Sequence, residues 1–134
     1  MRSKNISLNL EDIQVYQKAR LLSKTAWKIY DEFTWQIKKI IGDQFITATD
    51  SVGGNVAEGY GRFHYLDRIK FFYNARGSLL ESNHWFELIV ERKLIKNIKL
   101  KEEYEDIYRI LKPQLNSFIN SLYKIKNEAK THIS

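Results

Sequence analysis

Apolar residues recur along this chain at intervals of three and four, and alternation at intervals of two is nowhere sustained, so the pattern predicts helices throughout. A stripe through Tyr16, Ala19, Leu22, Ala26, Tyr30 and Phe33 predicts a first helix from Leu10 or Glu11 to about Phe33. Asn9 is its expected N-cap, and Glu11-Asp12 suits the positive end of the helix dipole. Phe45, Ala48, Val52 and Val56 form the second stripe. Thr34 with Trp35 is able to cap a short continuation, but Gly42-Asp43 reads as the firmer start of the second helix, with Asp43 as cap. That helix is expected to end between Glu58 and Tyr60, where Gly59 and Gly61 accept the left-handed conformation that closes helices.

A third helix is predicted from about Leu66 to Arg92 through Ile69, Phe72, Arg76, Leu79, Asn83, Phe86 and Val90. Leu94 to Leu100, containing Asn97, is a connector, and the last helix runs from about Lys101 to Glu128. Tyr104, Tyr108, Leu111, Leu115, Phe118, Leu122 and Ile125 alternate steps of four and three along it, a heptad seam interrupted by Pro113, where a bend is expected. Four amphipathic segments joined by short connections pack most economically as an all-α, antiparallel up-down-up-down four-helix bundle. The bundle domain spans 10–129, after an N-terminal arm at 1–9 and before a tail at 130–134 that is expected to fray.

Two stretches break the ordinary amphipathic pattern. Gly53 to Arg62 and Asn74 to Ser78 place small residues and charges where bulky apolar ones would stand, which lets helix backbones approach closely. Glu58 is expected to pair with Arg76 between the second and third helices, with Asn55 completing a structural polar cluster. The consecutive rings of Phe71-Phe72-Tyr73 fan over roughly 200° and cannot share one stripe. A second buried face is implied, and Trp27, Trp35, Tyr60, Phe63, Tyr65 and Trp85 add to the aromatic surface that favours a subunit interface.

Composition narrows the chemistry. The chain of 134 residues has room for one core, and with no cysteine it has neither disulfides nor thiolate metal sites, so a reducing cytoplasm is its expected location. No apolar run approaches the length of a membrane span or a signal peptide core. A net charge of +6 and a pI near 9.4 admit a polyanion partner, although Glu102-Glu103-Tyr104-Glu105-Asp106 interrupts the lysines.

Catalytic signals are weak. Glu81-Ser82-Asn83-His84 has the Glu-x-x-His form of half a di-iron carboxylate site, but neither His64 nor His132 supplies the second half, and no metal or cofactor is expected. Ser78 and Ser82 have no histidine spaced to mark a triad, and the glycines at 53–54 and 59–61 lack the strand and the Gly-Lys-Ser/Thr of a phosphate loop. The chain reads as a non-enzyme.

Asn55-Val56-Ala57-Glu58-Gly59-Tyr60-Gly61-Arg62, Ala75-Arg76-Gly77-Ser78-Leu79-Leu80-Glu81 and Val15-Tyr16-Gln17-Lys18-Ala19 occur in the order found in a known group. In these motifs the chain resembles the small helical-bundle proteins related to those encoded in intervening sequences of bacterial 23S ribosomal RNA genes. It departs from them at Phe33-Thr34, where the family usually has Phe-Pro, and at Ile46-Thr47, where the family carries paired arginines. The resemblance implies a four-helix bundle assembled as a ring, typically a pentamer, with no established enzymatic activity. A similar fold occurs in the accessory variability proteins of diversity-generating retroelements, which implies RNA, a ribonucleoprotein or a reverse transcriptase as partner. Lys18, Arg20, Lys24, Lys38, Lys39, Arg62, Arg68 and Lys70 are the expected nucleic-acid-binding side chains. A protein scaffold whose charge serves solubility is the competing reading.

Overall fold

The computed structural model describes residues 9, 10 and 13–133, with the side chains at 125, 126 and 128–133 outside the description. Among the described residues there are four helices and no strand. Helix α1 is Gln14–Asp31. Helix α2 starts as Trp35–Ile37, winds through a π-helical segment Lys38–Gly42 and continues as Asp43–Tyr60. Helix α3 is Tyr65–Glu91, and α4 is Ile98–Ile133. The helices pack in a closed cycle, α1 on α2, α2 on α3, α3 on α4 and α4 back on α1.

The ends of the helices differ from expectation in instructive ways. Ile13, not Asn9, occupies the N-cap of α1, and its side chain makes no capping bond, while Glu11 and Asp12 lie outside the described residues. At the next boundary the Thr34 hydroxyl accepts from the Ile37 N–H at 3.3 Å, so the second helix starts at Trp35 and not at Gly42-Asp43. Gly42 is helical, with φ −59° and ψ −43°, and is small for a different reason: a Cβ there would stand 3.0 Å from the Tyr30 ring. Asp43 caps nothing and instead accepts from the Tyr30 hydroxyl at 2.7 Å, which raises the Tyr30 pKa. The π segment turns Ile41 into the core while leaving Ile40 exposed.

Neither Gly59 nor Gly61 adopts the left-handed conformation; Gly61 closes α2 at φ −78°. Gly59 is buried, and a Cβ on it would sit 3.0 Å from the Phe72 ring and 3.2 Å from Phe71 Cβ, so its role is close packing of α3 on α2. The left-handed residue is Lys93, at φ 59°. There the Leu94 N–H reaches Ile89 O at 3.0 Å and the Lys93 N–H reaches Val90 O at 3.0 Å, a Schellman closure of α3 built without glycine. Asn97 then starts α4, its side chain accepting from the Lys99 and Leu100 N–H groups.

The heptad seam of α4 supplies Tyr104, Leu111, Leu115 and Leu122 to the core, joined by Leu100 and Ile119, and the helix continues through Pro113 to Ile133. Ile125 has no described side chain. Within the core, Tyr104 stacks on Phe86 at 3.9 Å and places its hydroxyl 2.7 Å from Ser82. Ser82 in turn bonds Thr49, whose hydroxyl donates to Phe45 O at 2.7 Å. Each hydroxyl has one proton, so the chain of donation runs from Tyr104 to Ser82 to Thr49 to the backbone of α2. Burial pushes the Tyr104 pKa far up and keeps the phenol a donor. This polar thread ties α2, α3 and α4 together, where the sequence pattern pointed only to apolar contact.

The Phe71-Phe72-Tyr73 rings find separate partners within the single chain. Phe72 is buried edge-on to Phe118, Phe71 lies beneath the Arg62 guanidinium at 4.6 Å, and Tyr73 meets Tyr123 and Arg76. The bulkiest apolar exposure falls elsewhere, on Phe63, Trp35, Leu66 and Ile40.

Candidate nucleic-acid interface

The expected Glu58 to Arg76 pair does not form. Glu58, in the last turn of α2, pairs its carboxylate at 3.0 Å with the guanidinium of Arg62, four residues on and just past the helix end, both side chains about half exposed. Arg76 projects toward α4 instead, donating to Asn116 at 3.4 Å and lying 5.0 Å over Tyr73. Asn55 faces α3 and donates to Ser51 O at 2.9 Å and to Ser78 at 3.5 Å. The polar cluster expected of these three residues is therefore three separate contacts.

The eight candidate cations divide by location. Arg20 and Lys24 stand on the side of α1 that faces α2. Lys38 and Lys39 stand at the π segment, and Arg62 and Arg68 stand at the turn into α3, with Arg68 Nε donating to Arg62 O at 2.6 Å. Lys18 is half-buried on α1 away from the groove described below, and Lys70 is exposed on α3. Among the described residues, Arg62 alone of the eight has a carboxylate within ion-pair distance.

Most of these cations lie over aromatic rings. Arg20 is 5.7 Å from the centre of Tyr16, Lys38 is 5.0 Å from Tyr30, and Lys39 is 5.3 Å from Trp35. Arg62 lies over Phe71 and Arg68 over Tyr65. Helix geometry explains Tyr16 with Arg20, Trp35 with Lys39 and Tyr65 with Arg68, because residues three or four apart share a face. That spacing was visible in the sequence, where an aromatic followed by a cation one turn later marks each of these pairs, but the reading by charge alone passed over it.

A groove of about 1080 Å³ runs between α1 and α2. Its floor is Gly53, Gly54 and Ala57, and its walls include Tyr16, Arg20, Lys24 and Trp27, with Asp50 as its acidic residue. A smaller hollow shares Gly54 and Ala57 and continues to Glu58 and Arg62. At the other end Trp27, 54% exposed, stacks on Tyr30 at 5.3 Å, and Lys38 also lies over the Tyr30 ring. The groove and its two ends thus join Arg62, Arg20, Lys24 and Lys38 into one track that interleaves cations with rings. On α3, Glu81 accepts from the Trp85 indole at 3.2 Å and His84 stands edge-on to the same ring, so the Glu-x-x-His pair is engaged with an aromatic. Among the described residues no three His, Asp or Glu side chains cluster as a metal site would require. No helix is long and apolar enough to cross a membrane among the described residues.

A family model described as 23S rRNA-intervening sequence protein matches residues 11–117. A solved structure from Bacteroides thetaiotaomicron VPI-5482, described as a protein of unknown function from the S23 ribosomal protein family, superimposes with a TM-score of 0.68 at 17% identity, over 79% of this chain and 95% of that one. At that identity the likeness is one of fold. No curated protein matches the chain.

Proposed function

Since the chain belongs to the family of 23S rRNA-intervening sequence proteins, we propose that it is a non-enzymatic, self-assembling basic bundle that binds RNA or a ribonucleoprotein through charge and shape. The observation that carries this reading is the set of surface cations that, among the described residues, have no carboxylate partner and are seated on aromatic rings on α1 and at the start of α2. Cations so placed are held in position by a neutral surface, and their charge stays available to phosphate. Nothing in the chain has the form of a base-reading module, so affinity would come from neutralised phosphates.

Assembly is the second part of the reading. The up-down-up-down bundle would associate through its remaining apolar exposure, with Phe63 87% exposed and Leu66 64% exposed at the start of α3. A ring, in the pentameric form the resemblance implies, would pool the +6 charge of each copy, and polyanion affinity grows with the number of phosphates engaged together. A cytoplasmic location suits such a partner.

Titration of a structured RNA at rising salt tests the binding. Affinity should fall linearly on a double-logarithmic plot, by about 0.7 in slope for each single-strand phosphate neutralised and about 0.9 for each in a duplex. Absence of binding at low salt, or indifference to salt, removes the reading. The exposed Phe63, Trp35, Leu66 and Ile40 favour a second reading, a scaffold for a protein partner such as a reverse transcriptase. In that case a Lys38→Glu/Lys39→Glu variant keeps its protein partner.

A further inference from the structure

We infer that the track between α1 and α2 is a docking site for single-stranded RNA, with bases stacked on Trp27 and Tyr16 and phosphates held by Arg20, Lys24 and Lys38. This inference rests on the RNA-binding reading above and assigns it a place and a strand form. The first observation is the groove, in which Tyr16, Arg20, Lys24 and Trp27 follow one another along α1, two cations bracketed by two rings, with Tyr30 stacked beyond Trp27. From Tyr16 to Tyr30 that face is about 21 Å long at 1.5 Å per residue, which spans several nucleotides. Cations bracketed by rings suit an unpaired strand, because its bases offer flat faces and its phosphates recur between them. A duplex hides those faces.

Gly54 is the second observation. It is exposed at mid-helix, and a Cβ built on it meets nothing within 4 Å among the described residues, so packing among those residues does not require a glycine there. A glycine at such a position weakens the helix, and one reason to keep it is that something from outside approaches the backbone closely. Charge is the third. Arg20 donates to the Tyr16 hydroxyl, Lys24 has no carboxylate partner among the described residues, and Asp43 is occupied by Tyr30, leaving Asp50 as the one acid that opposes the cations of the groove itself.

The test compares a single-stranded 12-nucleotide oligouridylate with a duplex of equal length, by fluorescence anisotropy at one salt concentration. The single strand should bind at least tenfold more tightly. Trp27→Ala should weaken that binding about tenfold, Gly54→Leu should abolish it while circular dichroism stays unchanged, and Asp50→Asn should strengthen it several-fold. Equal affinity for duplex and single strand, or wild-type affinity in both Trp27→Ala and Gly54→Leu, overturns the inference and leaves RNA binding standing. If no RNA binds at low salt, the reading beneath it falls instead. If Gly54→Leu lowers the mass of the assembly without changing RNA affinity, the groove holds a second copy and the inference is overturned.

Discussion

Gly59 and Gly54 lie on the same helix, one turn and a little more apart, and they are glycines for opposite reasons. Gly59 faces inward, where the Phe72 ring would stand 3.0 Å from any Cβ, and the fit of α3 against α2 depends on that absence. Gly54 faces outward over the α1 to α2 groove with nothing near it among the described residues. Gly77, on the outer side of α3, is in the same position. One sequence motif therefore combines a glycine that close packing requires with a glycine that packing among the described residues does not. The lesson is that a small residue in a helical bundle has to be read with its direction before it is assigned a purpose.

The largest expected effects lie on the inward side. Gly59→Ala forces the Phe72 and Phe71 contacts apart and should destabilise the protein by about 1 to 3 kcal/mol in urea unfolding. A neutral result would mean that α3 can slide on α2, and the contrast with Gly54 would collapse. Ser82→Ala breaks the hydroxyl chain beside the same interface and strands the Tyr104 donor, which should cost about 1 to 3 kcal/mol. Tyr104→Phe in the same background should recover part of that loss, since it removes the stranded group.

On the outward side the sign reverses. Gly54→Ala and Gly77→Ala should each stabilise by about 0.5 to 1 kcal/mol, because alanine is the better helix former and its methyl meets nothing. Destabilisation at Gly54 that deepens with protein concentration would show a neighbouring copy pressed against it. Lys93→Gly sharpens the same point from the other direction. Lys93 holds φ 59° without being a glycine, and relieving it should add roughly 1 kcal/mol.

The four helices were legible in the sequence because periodicity reports burial, and burial is what a stripe of Leu, Ile, Val and Phe determines. The boundary at Thr34 was misjudged for a physical reason. A glycine and an aspartate together resemble a helix start, yet Gly42 is small to fit beneath Tyr30 and Phe33, and only the three-dimensional neighbour discloses that. The hydroxyl chain through Thr49, Ser82 and Tyr104 was hidden for the same reason, since its members are far apart in sequence and each alone looks like an ordinary helix residue. For the candidate interface, composition disclosed the cations but not their grouping. Residues on α1, the π segment and the end of α2 become one track only once α1 and α2 are packed.

Arg76 gives the smallest predicted effect and the clearest correction. Paired with a buried Glu58 it would have been worth roughly 3 to 5 kcal/mol, because its removal would strand a charge in the core. Instead it is exposed, touching Tyr73 and Asn116, while Glu58 has Arg62. Arg76→Ala should then cost about 0.5 kcal/mol, the worth of an exposed cation over a ring. Unfolding at two protein concentrations a hundredfold apart makes the measurement decisive. A small loss at both places Arg76 on an open surface, whereas a loss near 3 kcal/mol that appears only at the higher concentration would place it beneath a neighbouring copy, and the outward face of α3 would then join Gly59 among the residues that packing demands.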